Sequence, residues 1–286
     1  MNEKVGRKRI AGLGLLFVLL TTEALPGFGL DLSIKISGSY DFLALNDINR
    51  SLQGWTEFYK RKAASIPGWT FGGGKVGKLR GGFGLEGEVL LNLTPRWAVG
   101  VGSGFSYSEV TESRSAITVE EKVVSMVYVQ PTKVVAKPLV VSGYHFWPLG
   151  LKLQIYFRAG MGWIWAKYVD REGSKKASAL KYAYTSVQSA SGRGALIQGG
   201  LGVKYVLDQS LGFFCEASLR RAKVSNFKGE TGTLYFFEEY NSSLDFWQAK
   251  IKMRENEPGG EDVRSVRKAV VDFGGCALKL GFFIKF

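Results

Sequence analysis

Histidine is nearly absent from this chain, whose 286 residues contain only one, His145. A single imidazole excludes a multi-histidine metal centre, the usual basis of a zinc site. Cysteine is also scarce, and two residues, Cys215 and Cys276, are too few for a disulfide scaffold. We therefore expect no metal and no cofactor. The two cysteines are expected to be separate side chains facing outward, with a disulfide between them as the less favoured alternative.

Long apolar runs are missing beyond the first part of the chain. The run at 10–20 (IAGLGLLFVLL) follows a basic segment at 4–9 and is too short to span a bilayer. It predicts a signal peptide over 1–29, cleaved after Gly29 or Ala24, with a retained membrane anchor as the alternative. No later run reaches the ~18 apolar residues of a membrane-spanning helix.

Proline is low at 7 residues, whereas glycine is high at 37 and aromatic residues make up 13%. Each glycine inside a helix costs about 1 kcal/mol relative to alanine, so this composition favours β-structure. The chain is 45% hydrophobic and 22% charged, which gives no sign of disorder, and its net charge is +13.

Apolar and polar residues alternate with a period of two along most of the remaining chain, which is typical of strands. The clearest case is 151–166, where Phe157 and Trp163 fall on one parity and Gln154 and Arg158 on the other. Strands are predicted at about 30–42, 83–93, 97–107, 134–147, 151–166, 195–207, 211–221 and 270–286.

Short and long connections alternate between these strands. The long ones lie near 44–80, 109–133, 167–193 and 224–268, and the tight ones at 94–96, 148–150 and 208–210. Short periplasmic turns opposite long extracellular loops are typical of transmembrane barrels. The prediction is an all-β fold, an eight-stranded antiparallel up-and-down barrel over residues 30–286.

A second hairpin could raise the count to ten strands. Residues 233–241 and 243–253 have strand-like composition. In the membrane, however, the adjacent Glu238 and Glu239 would force one carboxylate toward lipid. We therefore favour a hairpin that protrudes outside the bilayer.

The inward parity of the predicted barrel holds glycine, serine and charges of both signs. Side chains fill an eight-stranded barrel, and unpaired buried charges are costly, so we expect a paired ionic core without an open pore. The predicted lumen charge network is Lys35, Glu86, Glu88, Arg158, Lys204, Glu216, Arg220 and Lys279.

The segment 278–286 (LKLGFFIKF) resembles the terminal signature that the barrel-assembly machinery of Gram-negative bacteria reads in outer-membrane proteins. Its alternating residues are Leu280, Phe282, Ile284 and Phe286. The resemblance implies export to the bacterial outer membrane and contact with that machinery during biogenesis.

The hairpin at 137–165 is similar to the OmpW-like and OmpX-like group of small, porin-like outer-membrane barrels. The similar positions are Pro138-Leu139, Tyr144-His145-Phe146 and Gly160-Met161-Gly162-Trp163. The first and fourth loops are longer than expected for that group, so a ligand role carried by loops does not transfer from it.

The segment 71–80 (FGGGKVGKLR) matches two nucleotide motifs, G-x-G-x-x-G from Gly72 and the first seven positions of a P-loop. Leu79 stands where a P-loop needs Ser or Thr, and a predicted strand follows where both motifs need a helix. We expect neither nucleotide nor nucleic acid as a partner.

Residues 46–65 predict an amphipathic helix, with Ile48, Leu52 and Trp55 on its apolar face and Asn46 or Asp47 as its cap. A basic helix beside a bilayer suggests contact with anionic head groups. Candidate contacts to lipopolysaccharide are Lys60, Arg61, Lys62, Lys75, Lys78, Arg80, Lys175 and Lys176. A solvated charged surface is the equal alternative.

The sequence predicts a monomeric, non-enzymatic protein with a structural or interaction role at the cell surface and no catalytic residues. A narrow channel or transporter for small, hydrophobic molecules is the alternative. A lipid A-modifying enzyme built on His145 is less favoured, because that residue lies beside Trp147 near a predicted turn. There it fits an interfacial aromatic belt.

Overall fold

The structure, a computed structural model, describes residues 31–121 and 124–286. The predicted signal peptide over 1–29 lies outside them. Within these ranges the helices are α1 (Asn46–Ser65) and α2 (Glu112–Ser115). The strands are β1 (Asp31–Leu43), β2 (Trp69–Gly74), β3 (Gly81–Thr94), β4 (Trp97–Val110), β5 (Ile117–Glu121), β6 (Val124–Val129), β7 (Thr132–Pro148), β8 (Leu153–Lys176), β9 (Ala183–Val206), β10 (Leu211–Gly229), β11 (Gly232–Asn241), β12 (Phe246–Arg254), β13 (Val263–Lys268), β14 (Val271–Asp272) and β15 (Gly275–Lys285).

Eight of these strands form a closed antiparallel ring, in the order β1, β3, β4, β7, β8, β9, β10 and β15. The ring closes where β15 pairs with β1, from Ser33 opposite Lys285 to Leu43 opposite Gly275. The predicted eight-stranded barrel is confirmed. The possible extra hairpin, β11 with β12, lies outside the ring, so the count of ten is wrong.

One end of the barrel, the turn end, carries the three tight connections predicted at 94–96, 148–150 and 208–210. At the other end, the loop end, the strands extend further than the pattern of apolar and polar residues predicted. Strands β8 and β9 are 24 residues each and stay paired through Asp170 opposite Gln188. Most of the connection predicted at 167–193 is therefore a two-stranded arm that continues the barrel wall.

The barrel wall presents large apolar side chains to the outside, as a bilayer-spanning barrel requires. Phe83 and Met161 are 68% and 69% exposed. His145 lies on this face near the turn end, with its ring 4.2 Å from that of Trp97 and 4.3 Å from that of Trp147. Among the described residues, no helix is long and apolar enough to cross a membrane.

Both cysteines are free thiols with exposed side chains. In the β10–β15 pairing, Cys276 lies opposite Leu219 and Cys215 opposite Leu280, which separates the two sulfurs by four residues of register. The stagger keeps them apart, as the sequence predicts.

A cap closes the loop end, and we define it as α1 with β2, β5, β6, β11, β12 and β13. Strand β6 pairs with the upper part of β8, and β11 pairs with the end of β10. Helix α1 packs against β12, where Gly54 lies close to the backbone of Ala249. The Ser51 hydroxyl also accepts a hydrogen bond from the Ile251 amide at 3.1 Å.

Helix α1 has the predicted bounds, but its surroundings differ from the sequence expectation. Ile48, Leu52 and Trp55 are buried in the core of the cap, so the apolar face of the helix packs against protein. The residue before the helix is Leu45, in a left-handed conformation, so neither Asn46 nor Asp47 is the N-cap. Asp47 instead pairs with Arg267.

Candidate functional site

Five basic side chains line one groove of about 510 Å³ at the loop end. They are Lys60 on α1, Lys75, Lys78 and Arg80 on the segment that leads into β3, and Arg114 on α2. The acidic side chain in the lining is Glu57, so positive charge predominates. A concentration of cations in a concave surface attracts anions by focusing the field.

Two buried residues hold the segment 75–80 in place. Val76 and Leu79 are 5% and 1% exposed and anchor the segment in the cap core. The Val76 amide donates to the Thr56 hydroxyl at 3.0 Å, and the Leu79 amide donates to Asn49 Oδ1 at 2.8 Å. These anchors leave Lys75 and Arg80 exposed on either side and Lys78 half-buried between them.

Arg114 completes the groove from the opposite side. Its backbone carbonyl accepts a hydrogen bond from the Gly77 amide at 2.7 Å, and its Nη2 donates to the Lys78 carbonyl at 3.3 Å. Sequence reasoning missed this residue, because only the fold brings the connection after β4 against the first loop. Its positive charge was the one local signal.

The groove lies directly above the aromatic outer surface of the barrel. Arg80 immediately precedes β3, and its carbonyl accepts a hydrogen bond from the Leu43 amide at 3.1 Å. Just below, the exposed ring of Tyr40 is 5.3 Å from that of Phe83 and 5.0 Å from that of Phe42. Aromatic rings of this kind mark the boundary between hydrocarbon and head groups.

The other predicted lipopolysaccharide contacts lie away from the groove lining. Arg61 pairs with Glu57 at 3.0 Å and lies over the ring of Phe246. Lys62 lies over the ring of Trp69. Lys175 and Lys176 are at the far end of β8, with Lys175 Nζ 4.7 Å from the ring centroid of Tyr182. The structure thus brings together Lys60, Lys75, Lys78 and Arg80 and separates the remaining four.

The glycines of 71–80 serve strand pairing. Gly73 and Gly74 have φ values of 123° and 95°, where side chains are rarely tolerated, and both pair with β5. A Cβ on Gly74 would lie 2.3 Å from the Ala116 carbonyl oxygen. The segment then enters β3, so the helix that a nucleotide motif requires does not follow.

Inside the barrel, charged side chains from facing strands meet in one network. Arg158 reaches Glu86 at 2.6 Å, Glu88 at 3.1 Å and Glu216 at 3.5 Å. Two lysines also belong to the network. Lys35 Nζ lies 2.5 Å from Glu216, and Lys279 Nζ lies 2.6 Å from Glu86.

Arg220, a predicted member, pairs with Asp41 at 3.2 Å, nearer the loop end. The Nζ of Lys204, another predicted member, lies 4.4 Å from the ring centroid of Phe283, near the turn end. Sequence parity gave the inward direction of both residues but not their height in the barrel.

Apolar layers lie on both sides of the ionic network. An aromatic layer with Tyr144, Tyr156 and Phe283 fills the turn end, and the cap core covers the loop end. The lumen cavity beside Asp41 and Arg220 is about 20 Å³, room for one or two waters at ~10–15 Å³ each.

The residues of the predicted assembly signal lie on β15 and directly after it. The side chains of Leu280, Phe282 and Phe286 are exposed, and that of Ile284 is half-buried. Their alternation places them on the outer face of the ring beside β1.

Comparison with known proteins gives distant structural likeness. No family model matches the chain, and no curated protein matches it in sequence. The outer membrane protein OprG from Pseudomonas aeruginosa is 15% identical with a TM-score of 0.37, covering 90% of this chain and 96% of that one. Ail from Yersinia pestis, in complex with the heparin analogue sucrose octasulfate, is 11% identical with a TM-score of 0.33, covering 90% and 97%. A second structure of Ail from Yersinia pestis is 14% identical with a TM-score of 0.31 and the same coverage.

Proposed function

We propose that this chain is a monomeric, non-enzymatic outer-membrane protein whose basic groove binds the phosphate groups of lipopolysaccharide. In this proposal it belongs to the OmpW-like and OmpX-like barrels, is exported by its signal peptide and is inserted by the barrel-assembly machinery. The barrel anchors the cap, and the cap carries the interaction surface.

The observation that carries the proposal is the height of the groove. Its cations lie just beyond the exposed aromatic cluster of Tyr40, Phe42 and Phe83, where head-group phosphates of an outer leaflet would be found. Basic side chains at this level attract anionic lipid, and charge-assisted hydrogen bonds from lysine and arginine to phosphate are strong.

The packing of the lumen supports an anchor rather than a channel. Arg158 spans the interior to three carboxylates, and the layers on both sides are apolar. A cavity of about 20 Å³ holds water but not a small organic molecule. His145, between two tryptophans on the outer wall, has the surroundings of a belt residue rather than a catalytic base.

The test compares two double variants that each remove two positive charges. Binding of the detergent-purified protein to vesicles of phosphatidylcholine with lipopolysaccharide is measured by surface plasmon resonance. We expect K75Q/R80Q to weaken binding roughly 5- to 30-fold, from ~0.5–1 kcal/mol for each exposed ion pair. The matched control K175Q/K176Q, outside the groove, should bind like the original protein.

Two further ligands distinguish the source of the anion. Lipopolysaccharide stripped of its phosphates should bind no better than phosphatidylcholine alone, and soluble heparin should compete weakly. Equal loss of binding in both double variants would reject the groove. Strong binding of heparin without binding of lipopolysaccharide would reject the lipid and assign the groove to sulfated polysaccharides.

A further inference from the structure

A second cavity, of about 220 Å³, lies in the cap between α1, β12 and the upper part of β8, away from the basic groove. Its polar lining includes Ser51, Gln130, Glu172, Gln188 and Gln248, and its apolar lining includes Trp55 and Phe58. The cavity is far larger than one water needs and smaller than the ~300–1,000 Å³ of sites for drug-sized ligands. A ligand of monosaccharide size fits between these limits.

One buried polar atom in the lining has no partner. Gln130 is 6% exposed, and its Nε2 donates to Asp170 Oδ2 at 3.1 Å. Its Oε1 is buried without a hydrogen-bond partner among the described residues. An unsatisfied buried acceptor costs about 1–3 kcal/mol, so a turn of this amide that lets the oxygen accept a hydrogen bond from a ligand in the cavity would be stabilising.

The charges around the cavity balance one another. Asp170 and Glu172 face Lys250 and Lys252, and Lys250 is already paired with Glu239. Burial raises the pKa of Asp170 to about 6, while Thr132 and Gln130 donate hydrogen bonds to its carboxylate. An anion would meet the two carboxylates and a cation the two ammonium groups, so this lining favours an uncharged ligand.

A metal ion is also disfavoured. Within residues 31–121 and 124–286, no three His, Cys, Asp or Glu side chains converge in a way that could hold one. The Glu172 carboxylate accepts a hydrogen bond from Trp55 Nε1 at 3.3 Å, and both oxygens of Asp170 are occupied by protein donors.

We propose that this cavity binds an uncharged, hydroxyl-rich ligand, a neutral monosaccharide unit. Sugar hydroxyls both donate and accept hydrogen bonds, as do the amides of Gln130, Gln188 and Gln248 and the hydroxyl of Ser51. Trp55 and Phe58 supply the apolar wall against which the C–H face of a sugar ring packs. The proposal is independent of the basic groove and of its lipid ligand.

The test is isothermal titration of the full, folded protein in detergent with D-glucose, D-galactose, D-mannose and N-acetyl-D-glucosamine. Inorganic phosphate and putrescine serve as charged probes of similar or smaller size. We expect at least one neutral sugar to bind saturably. Putrescine should not bind, and any binding of phosphate should be lost in K75Q/R80Q, because the basic groove and not this cavity accounts for it.

Two variants tie the binding to the cavity. Q130L and, independently, Q248L should each weaken sugar binding roughly three- to tenfold, the loss of one or two hydrogen bonds. K75Q/R80Q should leave sugar binding unchanged, which separates this site from the groove. The circular dichroism spectrum of each variant establishes that it is folded.

The proposal is overturned if none of the four sugars binds at millimolar concentration. It is equally overturned if only a charged probe binds, or if sugar binding is the same in the original protein and in both folded glutamine variants.

Discussion

Arg158 and Glu86 face each other across the interior of the barrel, with Arg158 Nη2 2.6 Å from Glu86 Oε1. The arginine side chain is 1% exposed, and the same nitrogen is 3.1 Å from Glu88. One guanidinium therefore links facing walls of the ring, because its planar fork can serve several carboxylates at once.

Replacing Arg158 with methionine should destabilise the barrel by about 3–5 kcal/mol, because it removes the cation paired with the buried Glu88 and one of the cations paired with Glu86 and Glu216. Urea unfolding of the protein in lipid vesicles measures this change. The control is R264M, which breaks the pair with Glu238 at 53% side-chain exposure. That variant should cost under about 1 kcal/mol. Equal midpoints for the two variants would contradict the role given to Arg158.

Asp170 should make the stability of the cap depend on pH. Its folded pKa, about 6, is above its ordinary value of 3.8 because the carboxyl is buried, so folding favours the protonated form. The protonated carboxyl contributes about 3 kcal/mol to the stability of the folded state. This contribution is fully present below pH ~4 and is lost as the pH rises through ~6. The neighbouring charges are Glu172 and Lys252.

Replacing Asp170 with asparagine should remove this dependence, since the Thr132 hydroxyl that donates to Asp170 can instead accept from the new amide. Hydrogen exchange of α1 and β12, corrected for intrinsic rates, measures the opening free energy between pH 4 and 7.5. The original protein should lose protection as pH rises, and D170N should not. Parallel curves for the two proteins would contradict this account.

The close approach of α1 to β12 depends on Gly54. A Cβ there would lie 2.6 Å from the Ala249 carbonyl oxygen, so G54A should push the helix away and cost about 1–3 kcal/mol of cap stability. G259A is the control, because its Cβ would meet no atom within 4 Å. Faster exchange of α1 in G54A but not in G259A is the expected result. If the amides of α1 exchange as slowly in G54A as in the original protein, the helix does not lie this close to β12.

The sealed lumen predicts no conductance. In planar bilayers the purified protein should give no steady current steps, because the ionic network and the two apolar layers fill the lumen around a water-sized cavity. Reproducible open channels in several independent preparations would show that this packing opens in a membrane, and would favour the transport alternative.

The membrane part of the fold was predictable because lipid on one side and a polar lumen on the other impose a strict alternation. Residues 151–166 show it, and the structure places Phe157 and Arg158 on opposite faces of β8. Above the bilayer that constraint ends. The arm through Asp170 and Gln188, and strands β2, β5 and β6, lie in regions that the sequence assigned to loops, and they are held by pairing between separate loop segments.

Only the part of the groove that comes from one short segment could be predicted from the sequence. Lys75, Lys78 and Arg80 are close in sequence, so their clustering was visible. Arg114 and the burial of the apolar face of α1 depend on contacts between distant loops, which no local pattern records. The charge-balanced cavity around Gln130 has the same origin, since its lining comes from five separate parts of the chain.

The most direct measurement of the central claim is lysine footprinting of the protein in lipopolysaccharide-containing vesicles. Acylation rates at Lys60, Lys75 and Lys78 are read by mass spectrometry and compared with those at Lys175 and Lys176. The account predicts that lipopolysaccharide protects the first three lysines and not the last two, and that removal of its phosphates abolishes the protection. Equal protection of all five, or protection that survives dephosphorylation, would contradict it.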